Sequence, residues 1–212
     1  MKNVKIFCLS LEPSHYEFIK NLGYTPVGLG EKNFNNNWFT DKSGSNISQK
    51  NKYYGEYTFH YWLWKNYLDS SIDDTNSWIG FCQYRKFWST RSDKLLPNNI
   101  DEIKSFVLKE IPQSYNNYDV ILGEPFFINN FKIMKFLKHG FKLILKNPSY
   151  LFNENKRNIK FHFDLMHGYE NLDKAIELLE PEDRKDFSEF VNAKTYFNPQ
   201  NMFICKSKTE ID

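Results

Sequence analysis

Four short apolar runs constrain the fold of this chain more than any other feature of its sequence. They lie at 5–9, 24–29, 78–82 and 119–122. We interpret each run as a strand, because short apolar runs bounded by turn-forming residues are typical of buried strands. Two segments between them, 53–68 and 100–111, are predicted to be helices, and the first carries rings at helical spacing. Strands that alternate with helices in this way predict the α/β fold class, with a mostly parallel sheet and helices on both of its faces.

The later part of the chain is predicted to be more helical. Residues 171–191 are predicted to form one or two acid-rich helices, interrupted at Pro181, and 201–205 is predicted to be a final strand. The segment 131–146 is basic and amphipathic, with lysines gathered on about one third of the helical wheel. Those lysines are Lys132, Lys135, Lys138, Lys142 and Lys146. Either the helix packs by its broad apolar face, or its lysines bind an anionic membrane surface.

Composition excludes several classes of protein. The net charge of +2 gives no strong field of the kind that marks nucleic-acid binding, so we expect no nucleic-acid partner. The mean hydropathy is -0.64, and no apolar run approaches the ~20 residues that a membrane span needs. The N-terminus lacks the features of a secretory signal, and three cysteines without CxxC pairing fit a reducing, cytoplasmic setting. The length of 212 residues predicts one domain.

The segment 41–66 joins a small, polar, turn-prone stretch to a ring-rich helix. Short polar side chains and backbone N–H groups at the start of a helix can hold an anion or a ribose. Lys50 adds a positive charge beside them, and Glu56 lies on the predicted helix itself. The alternative is a solvated loop with a helix cap, in front of rings that belong to the core.

A second segment places two cations directly after an apolar strand. The strand 78–82 continues into Gln83, Tyr84, Arg85 and Lys86. Ligands of parallel sheets bind outside the carboxyl ends of the strands, and an arginine there can bind a phosphate with two parallel hydrogen bonds. This pattern favours an anion site, although the cations could instead extend into water from a surface edge.

A third segment, FHFDLMHG at 161–168, carries titratable side chains. Its two histidines lie five residues apart, which matches no known metal-binding spacing. Asp164 or His167 is more plausible as a general base than as a metal ligand. The alternative is that these side chains only pack and form hydrogen bonds, without a catalytic role.

Three runs resemble the hallmarks of one known family. They are DKSGSNISQKNKYYGEYTFHYWLWKN at 41–66, IGFCQYRKFW at 79–88 and NPQNMFIC at 198–205. The family comprises bacterial capsular and exopolysaccharide glycosyltransferases, long catalogued as a domain of unknown function. Its runs read roughly D-x-x-G-x-NIS-x-KN-x-x-Y-x-E-x-T-x-x-YW-x-WKN, IGL-x-HYRRYF and NMFI. The resemblance extends from Lys5 to Lys208, with a lineage-specific middle at about 127–160.

This resemblance implies a GT-A-like nucleotide-binding sheet that uses a nucleotide-sugar donor. Residues 1–125 would bind the donor, and 126–212 would form a helical, acceptor-binding half that is short at its C-terminus. The residues assigned to donor or diphosphate binding are Asp41, Asn46, Ser48, Lys50, Asn51, Glu56, Gln83, Tyr84, Arg85 and Lys86. Asn201 is assigned to the acceptor side, and the candidate bases are Asp164, His167 and Glu124, in that order. The sequence does not choose between inversion and retention.

The segment after the central strand departs from the pattern of GT-A enzymes. In those enzymes an Asp-x-Asp motif grips the diphosphate through a divalent metal, whereas this strand ends in QYRK. The family has His at the position of Gln83 and Arg at the position of Lys86. Because Arg85 and Lys86 can neutralise a diphosphate directly, we expect no metal ligands and disfavour manganese or magnesium as a cofactor.

The resemblance thus predicts a hexosyltransferase-type enzyme that moves a sugar from a UDP-sugar to a capsular polysaccharide or lipooligosaccharide. Its acceptor would be a saccharide or lipid-linked saccharide. The enzyme would be cytoplasmic, peripheral on the inner face of the inner membrane. The alternative is a non-catalytic or decayed module that binds a sugar or nucleotide.

Overall fold

The computed structural model describes residues 2–68, 78–91, 99–129, 145 and 147–206. Contacts divide the chain into two compact units. The first comprises Met1–Gly123 with Gln200–Asp212, and the second comprises Glu124–Pro199. The single domain expected from the length stays a prediction.

Strands and helices alternate along the first unit, and the second unit is mostly helical where it is described. Across the described residues of both units, the strands are β1 (Lys2–Ser10), β2 (Thr25–Gly28), β3 (Phe39–Thr40), β4 (Trp78–Gln83), β5 (Glu110–Ile111), β6 (Val120–Leu122), β7 (Phe126–Phe127), β8 (Tyr196–Phe197) and β9 (Phe203–Cys205). The helices are α1 (Tyr16–Asn21), α2 (Asn51–Tyr54), α3 (Tyr57–Asn66), α4 (Ile100–Phe106), α5 (Ser149–Phe152), α6 (Ile159–His167), α7 (Asn171–Ile176) and α8 (Pro181–Ala193).

One mixed, mostly parallel sheet organises the first unit. Among the described residues it has seven strands, with the path β3-β2-β1-β4-β9-β6 and β5 paired to the start of β1. The four strands β3, β2, β1 and β4 run parallel to one another. β9 inserts between β4 and β6 and runs antiparallel to both. The predicted α/β class and mostly parallel sheet are confirmed.

Helices cover both faces of the sheet, as the sequence predicts. Successive side chains of a strand point to opposite faces, so Ile6 and Cys8 enter one core cluster while Phe7 and Leu9 enter the other. Side chains of α1 complete the first cluster, and side chains of α3 complete the second. The two clusters bury residues 6–9 of β1 from both sides, which matches the continuous apolar sequence of that stretch.

Gly80 leaves room at the centre of the sheet for side chains from the neighbouring strands. A Cβ at this position would lie 3.0 Å from Ile204 Cγ1 and 3.1 Å from Ile6 Cγ1. The side chains of neighbouring strands therefore occupy the space that any larger residue would need. This close approach seats β4 between β1 and β9.

Two predicted helices of the first unit differ from the structure. The helix predicted at 53–68 is divided into α2 and α3 by Gly55, whose φ is 54°. The helix predicted at 100–111 ends at Phe106, because Val107 turns into an extended conformation and Leu108 donates its N–H to Trp88 O. Extended residues that join a neighbouring segment gain tertiary hydrogen bonds that helical periodicity does not reveal.

The strand predicted at 119–122 exists, but it is not buried. It forms β6 at the edge of the sheet, where Val120 is 40% exposed and Leu122 is 54% exposed. Its apolar residues are typical of a central strand, so the sequence alone predicts more burial than the structure shows.

The described residues of the second unit are helical apart from a short antiparallel pair of strands, β7 and β8. Asn158 caps α6 by accepting the N–H of Phe161, and Pro181 starts α8 with two acidic residues after it. α7 and α8 share an apolar cluster of Leu172, Ile176 and Val191. The interruption predicted at Pro181 is thus the start of a helix.

The basic segment 131–146 lies outside the described residues, with the exception of Leu145. This includes Lys132, Lys135, Lys138, Lys142 and Lys146. No helix among the described residues has the length and apolar character needed to cross a membrane.

Candidate functional site

Two adjoining cavities lie in the first unit at the carboxyl ends of β1, β2 and β4. The smaller cavity measures about 380 Å³, and the larger measures about 670 Å³. The smaller is lined by Leu9, Ser10, Leu11, Leu29, Asn51, Lys52, Gly55, Glu56, Gln83, Tyr84 and Arg85. The larger is lined by Leu11, Glu12, Leu29, Gly30, Glu31, Lys32, Lys42, Ser48, Gln49, Asn51 and Lys52. This is the edge at which parallel sheets bind ligands.

A polar network centred on Glu56 forms one wall of the smaller cavity. Gln83 Nε2 donates to Glu56 Oε1, and Asn201 Nδ2 donates to Glu56 Oε2 at 2.9 Å. Tyr57 donates its hydroxyl to Asn201 Oδ1, also at 2.9 Å. The network therefore joins the start of α3, the end of β4 and the segment that precedes β9.

The break between α2 and α3 positions Glu56. Asn51 Nδ2 donates to Gly55 O at 2.8 Å and to Thr58 Oγ1 at 3.1 Å, which ties the first turn of α2 to the first turn of α3. Gly55 has a positive φ, which glycine adopts without the steric cost that a Cβ brings. Glu56 follows immediately and stands at the start of α3.

Cationic side chains contribute to the same cavity. Arg85 and Lys52 are both exposed and both line it. The Arg85 guanidinium lies 5.1 Å from the centre of the Tyr84 ring, and that ring stacks on His15 at 4.3 Å. An arginine supported by an aromatic face can present its planar fork to a phosphate. The cavity therefore combines a carboxylate with cations suited to an anionic ligand.

Lys86 is not part of either cavity. Its N–H donates to Gln83 O at 2.9 Å, which closes a tight turn after β4. The side chain is exposed in the structure. Of the two cations that directly follow β4, the structure brings only Arg85 to the cavity wall.

The predicted donor residues of the 41–50 loop divide in a similar way. Ser48 lines the larger cavity, whereas Asp41, Asn46 and Lys50 do not line either one. Asn46 instead shapes the loop, since its Oδ1 accepts from Ser48 Oγ at 2.8 Å and its Nδ2 donates to Gly44 O at 3.0 Å. The Lys50 ammonium lies 5.9 Å from the centre of the Tyr54 ring.

Asp41 is fully buried at the end of β3. Burial raises the pKa of its carboxyl group. The nearby Thr58 hydroxyl donates its proton to Gly55 O at 3.1 Å, and neither Asp41 carboxylate oxygen has a hydrogen-bond partner among the described residues. A direct role of Asp41 in donor binding stays a prediction.

Sequence analysis missed several residues of the site. Lys52 and Ser10 line the smaller cavity, and Lys32 and Lys42 line the larger one. Lys32 forms a 2.5 Å ion pair with Glu12, and Lys42 Nζ donates to Lys32 O at 3.1 Å. The position of Ser10 at the carboxyl end of β1 was a signal that could have identified it. The loop lysines carried no such signal.

The candidate bases Asp164, His167 and Glu124 belong to the second unit. Asp164 is buried and accepts from Lys160 Nζ at 2.8 Å and from the N–H of Glu170 at 3.1 Å. Lys160 also pairs with Asp173 at 2.7 Å. Burial lowers the pKa of Lys160, but its bonds to the two aspartates outweigh this and raise it.

The other two candidate bases are exposed. His167 ends α6 with its ring 4.6 Å from the Phe163 ring, and Glu124 is the first residue of the second unit. Burial and the nearby His167 lower the pKa of His162 on the same helix. Catalytic roles for all three candidates stay predictions.

The smaller cavity offers a divalent metal a single protein carboxylate. Glu56 is the sole carboxylate among the residues that line this cavity, and each of its oxygens accepts one amide N–H group. A magnesium ion there would depend on substrate phosphates and water for its other ligands. Within the described ranges, no group of three or more His, Cys, Asp or Glu side chains is arranged to hold a metal ion.

A family model matches residues 9–211, which is nearly the whole chain. The family is described as a domain of unknown function, DUF4422. This chain belongs to the DUF4422 family. The matched range contains both cavities and the whole Glu56 network.

A structural comparison shows the fold of this DUF4422 member in a solved protein. All of the chain superimposes on the apo structure of WbbM, a bifunctional glycosyltransferase, with a TM-score of 0.57 and 20% sequence identity. The chain spans 35% of the length of WbbM. None of the curated proteins matches the sequence.

Proposed function

We propose that this DUF4422 chain is a glycosyltransferase domain that uses a nucleotide-sugar donor. The observation that carries the proposal is the smaller cavity, which places Arg85 and Lys52 with the Glu56 carboxylate at the carboxyl ends of β1 and β4. Cations suit a diphosphate, and hydrogen-bonding polar groups suit a sugar. The shared fold with a bifunctional glycosyltransferase supports this interpretation.

The proposed reaction breaks the bond between the sugar and the diphosphate. The departing diphosphate keeps the bonding electrons and gains negative charge, which Arg85 and Lys52 stabilise. An acceptor hydroxyl forms the new bond to the anomeric carbon and gives its proton to a base. Asp164, His167 and Glu124 remain the candidates for that base. Because Arg85 and Lys52 can neutralise a diphosphate directly, we propose that these cations take the place of a divalent metal.

We further propose that the donor is a UDP-sugar and that the acceptor is a capsular polysaccharide or lipooligosaccharide, either free or lipid-linked. The enzyme would be cytoplasmic and peripheral on the inner face of the inner membrane, with Lys132–Lys146 at the lipid surface. These finer assignments rest on the family resemblance of the three sequence runs.

The second candidate function is a sugar- or nucleotide-binding module without turnover. One observation favours it: the Asp164 carboxylate, the first candidate base, already accepts from Lys160 and from Glu170. A base that is held in an ion pair must exchange that partner before it can take a proton.

Nucleotide binding and turnover separate the two candidates. A thermal-shift panel of UDP-, GDP- and CMP-sugars, with EDTA or with manganese, tests the nucleotide class and the need for metal, because ligands that bind the native state raise its stability. Release of UDP from a UDP-sugar in the presence of acceptor would support the enzyme. Stabilisation without any release would support the binding module. Activity that EDTA abolishes and manganese restores would contradict the metal-independent mechanism.

A further inference from the structure

The Glu56 carboxylate is held in one orientation by partners that come from distant parts of the chain. Gln83 donates to one of its oxygens and Asn201 donates to the other. Asn201 has its own orientation fixed, because its Oδ1 accepts the Tyr57 hydroxyl and only its Nδ2 can then face Glu56. Glu56 is thus ordered before any ligand arrives, and it lines the smaller cavity.

The unused hydrogen-bonding capacity of this carboxylate selects for one kind of ligand group. A carboxylate has about four lone-pair sites, of which these partners occupy two. The remaining sites accept hydrogen bonds and donate none. A phosphate group has no proton to offer and is repelled by the negative charge, whereas a hydroxyl group is a good donor.

The other groups of the site suit different parts of a nucleotide-sugar, which would lie across the two cavities. Arg85 and Lys52 line the smaller cavity and are suited to the phosphates. Lys52 also lines the larger cavity, whose volume of about 670 Å³ offers room for a nucleoside. The sugar is then the part of the donor that meets Glu56.

We propose that Glu56 is the residue that selects the donor sugar, by accepting hydrogen bonds from its hydroxyl groups. Gln83, Asn201 and Tyr57 are positioning residues that hold the carboxylate toward the cavity. This inference rests on the proposed function, and it moves Glu56 from diphosphate binding to sugar recognition. A site built around a hydrogen bond to a substrate hydroxyl rejects analogues that lack it, because its polar group is left unpaired.

Calorimetric titration of the full chain with UDP, UDP-glucose, UDP-galactose and their N-acetylated forms tests the proposal. We expect the wild type to bind one UDP-sugar more tightly than UDP. Glu56→Gln should weaken that UDP-sugar roughly 10- to 100-fold, the effect of one or two hydrogen bonds to a charged group. The Kd for UDP should change by less than about twofold, since UDP lacks the sugar whose hydroxyls Glu56 binds.

Two further variants guard against a simple folding defect. Tyr57→Phe keeps the ring but removes the bond that orients Asn201, and it should weaken the UDP-sugar by a few-fold without affecting UDP. Glu17→Gln makes the same chemical change as Glu56→Gln at an exposed residue of α1 and should leave both Kd values unchanged. A deoxy-sugar analogue that lacks the recognised hydroxyl should bind wild type and Glu56→Gln equally.

Each contrary result has a distinct meaning. Equal weakening of UDP and UDP-sugar would assign the recognised hydroxyl to the ribose and overturn sugar selection. Unchanged Kd values with lost turnover, and loss of the pH-dependent limb of the rate profile, would make Glu56 a base instead. If the wild type binds UDP but Glu56→Gln changes nothing, this inference alone fails. If the wild type binds no nucleotide, the proposed function fails and takes the inference with it.

Discussion

At the residue scale, Glu56 and Arg85 line one cavity with opposite charges. Glu56 could be singled out from the sequence, since it lies on a predicted helix after a polar loop. Its bond to Asn201 could not, because the two residues are 145 positions apart and no local pattern links them. The position of Arg85 was predictable from the end of β4. The separation of Arg85 from Lys86 depends on a tight turn that apolar periodicity does not reveal.

His60 supplies a pH-dependent prediction at the same scale. Its ring lies among the rings of Tyr57, Phe81 and Phe203, and burial lowers its pKa to about 4. The unfolded chain therefore binds more protons than the folded chain between about pH 4 and pH 6.5. The contribution of His60 to stability is fully present above pH 6.5 and is lost as the pH falls toward 4.

We expect His60→Phe to flatten this part of the stability profile. The wild type should lose on the order of 2–3 kcal/mol more than the variant between pH 7 and pH 4, because only the wild type must keep a buried imidazole neutral. Urea denaturation at several pH values measures the difference. Parallel curves for the two proteins would show that His60 does not titrate as described.

At the element scale, the division of the predicted helix at Gly55 creates the site. The ring spacing through 53–68 is continuous, so the sequence predicts one helix with Glu56 on its surface. The backbone of Gly55, with φ 54° and ψ -128°, breaks that helix and places Glu56 at the start of α3. Hydrogen bonds from the Asn51 side chain stabilise the break, and periodicity does not report such bonds.

Gly55→Ala should destabilise the fold and weaken ligand binding. A Cβ at Gly55 would meet no atom within 4 Å, so the cost comes from the backbone conformation and should be roughly 1–3 kcal/mol. Gly123→Ala is a suitable control, because Gly123 also has open space but no positive φ. The control should stay within about 0.5 kcal/mol of wild type in chemical denaturation. Equal effects of the two changes would refute a special role for the Gly55 conformation.

The sheet itself could be predicted from the sequence to a large extent. Residues 6–9 of β1 and 78–82 of β4 are apolar and buried on both faces, and such runs are typical of parallel central strands. The insertion of β9 between β4 and β6 could not be predicted, since it joins residues from both ends of the chain. This insertion also delivers Asn201 to Glu56.

At the scale of the whole molecule, β9 belongs to the first unit, although the second unit precedes it in the sequence. The sequence shows the greater helix content of 124–199. It does not show that the last strand joins the first sheet, because sheet order depends on tertiary contacts.

Membrane docking is a prediction about the whole molecule. The proposed surface consists of Lys132, Lys135, Lys138, Lys142 and Lys146. The chain should bind vesicles that contain phosphatidylglycerol and bind phosphatidylcholine vesicles poorly, and salt should weaken the binding. Replacing the five lysines by glutamine should abolish sedimentation with the vesicles. The same exchange at Lys174 and Lys185 of the second unit should have little effect, and no vesicle binding by the wild type at low salt would contradict the proposed docking.

The central claim is that Arg85, in the smaller cavity, binds the diphosphate of a nucleotide. Calorimetric titration with UDP in the presence of EDTA tests it directly, using wild type, Arg85→Ala and Lys109→Ala. Lys109 is an exposed cation that lines neither cavity, so its loss controls for the change in net charge. We predict that the wild type binds UDP, that Arg85→Ala weakens binding roughly 10-fold or more, and that Lys109→Ala matches the wild type. Absence of UDP binding by the wild type, or equal Kd values for all three proteins, would contradict the account.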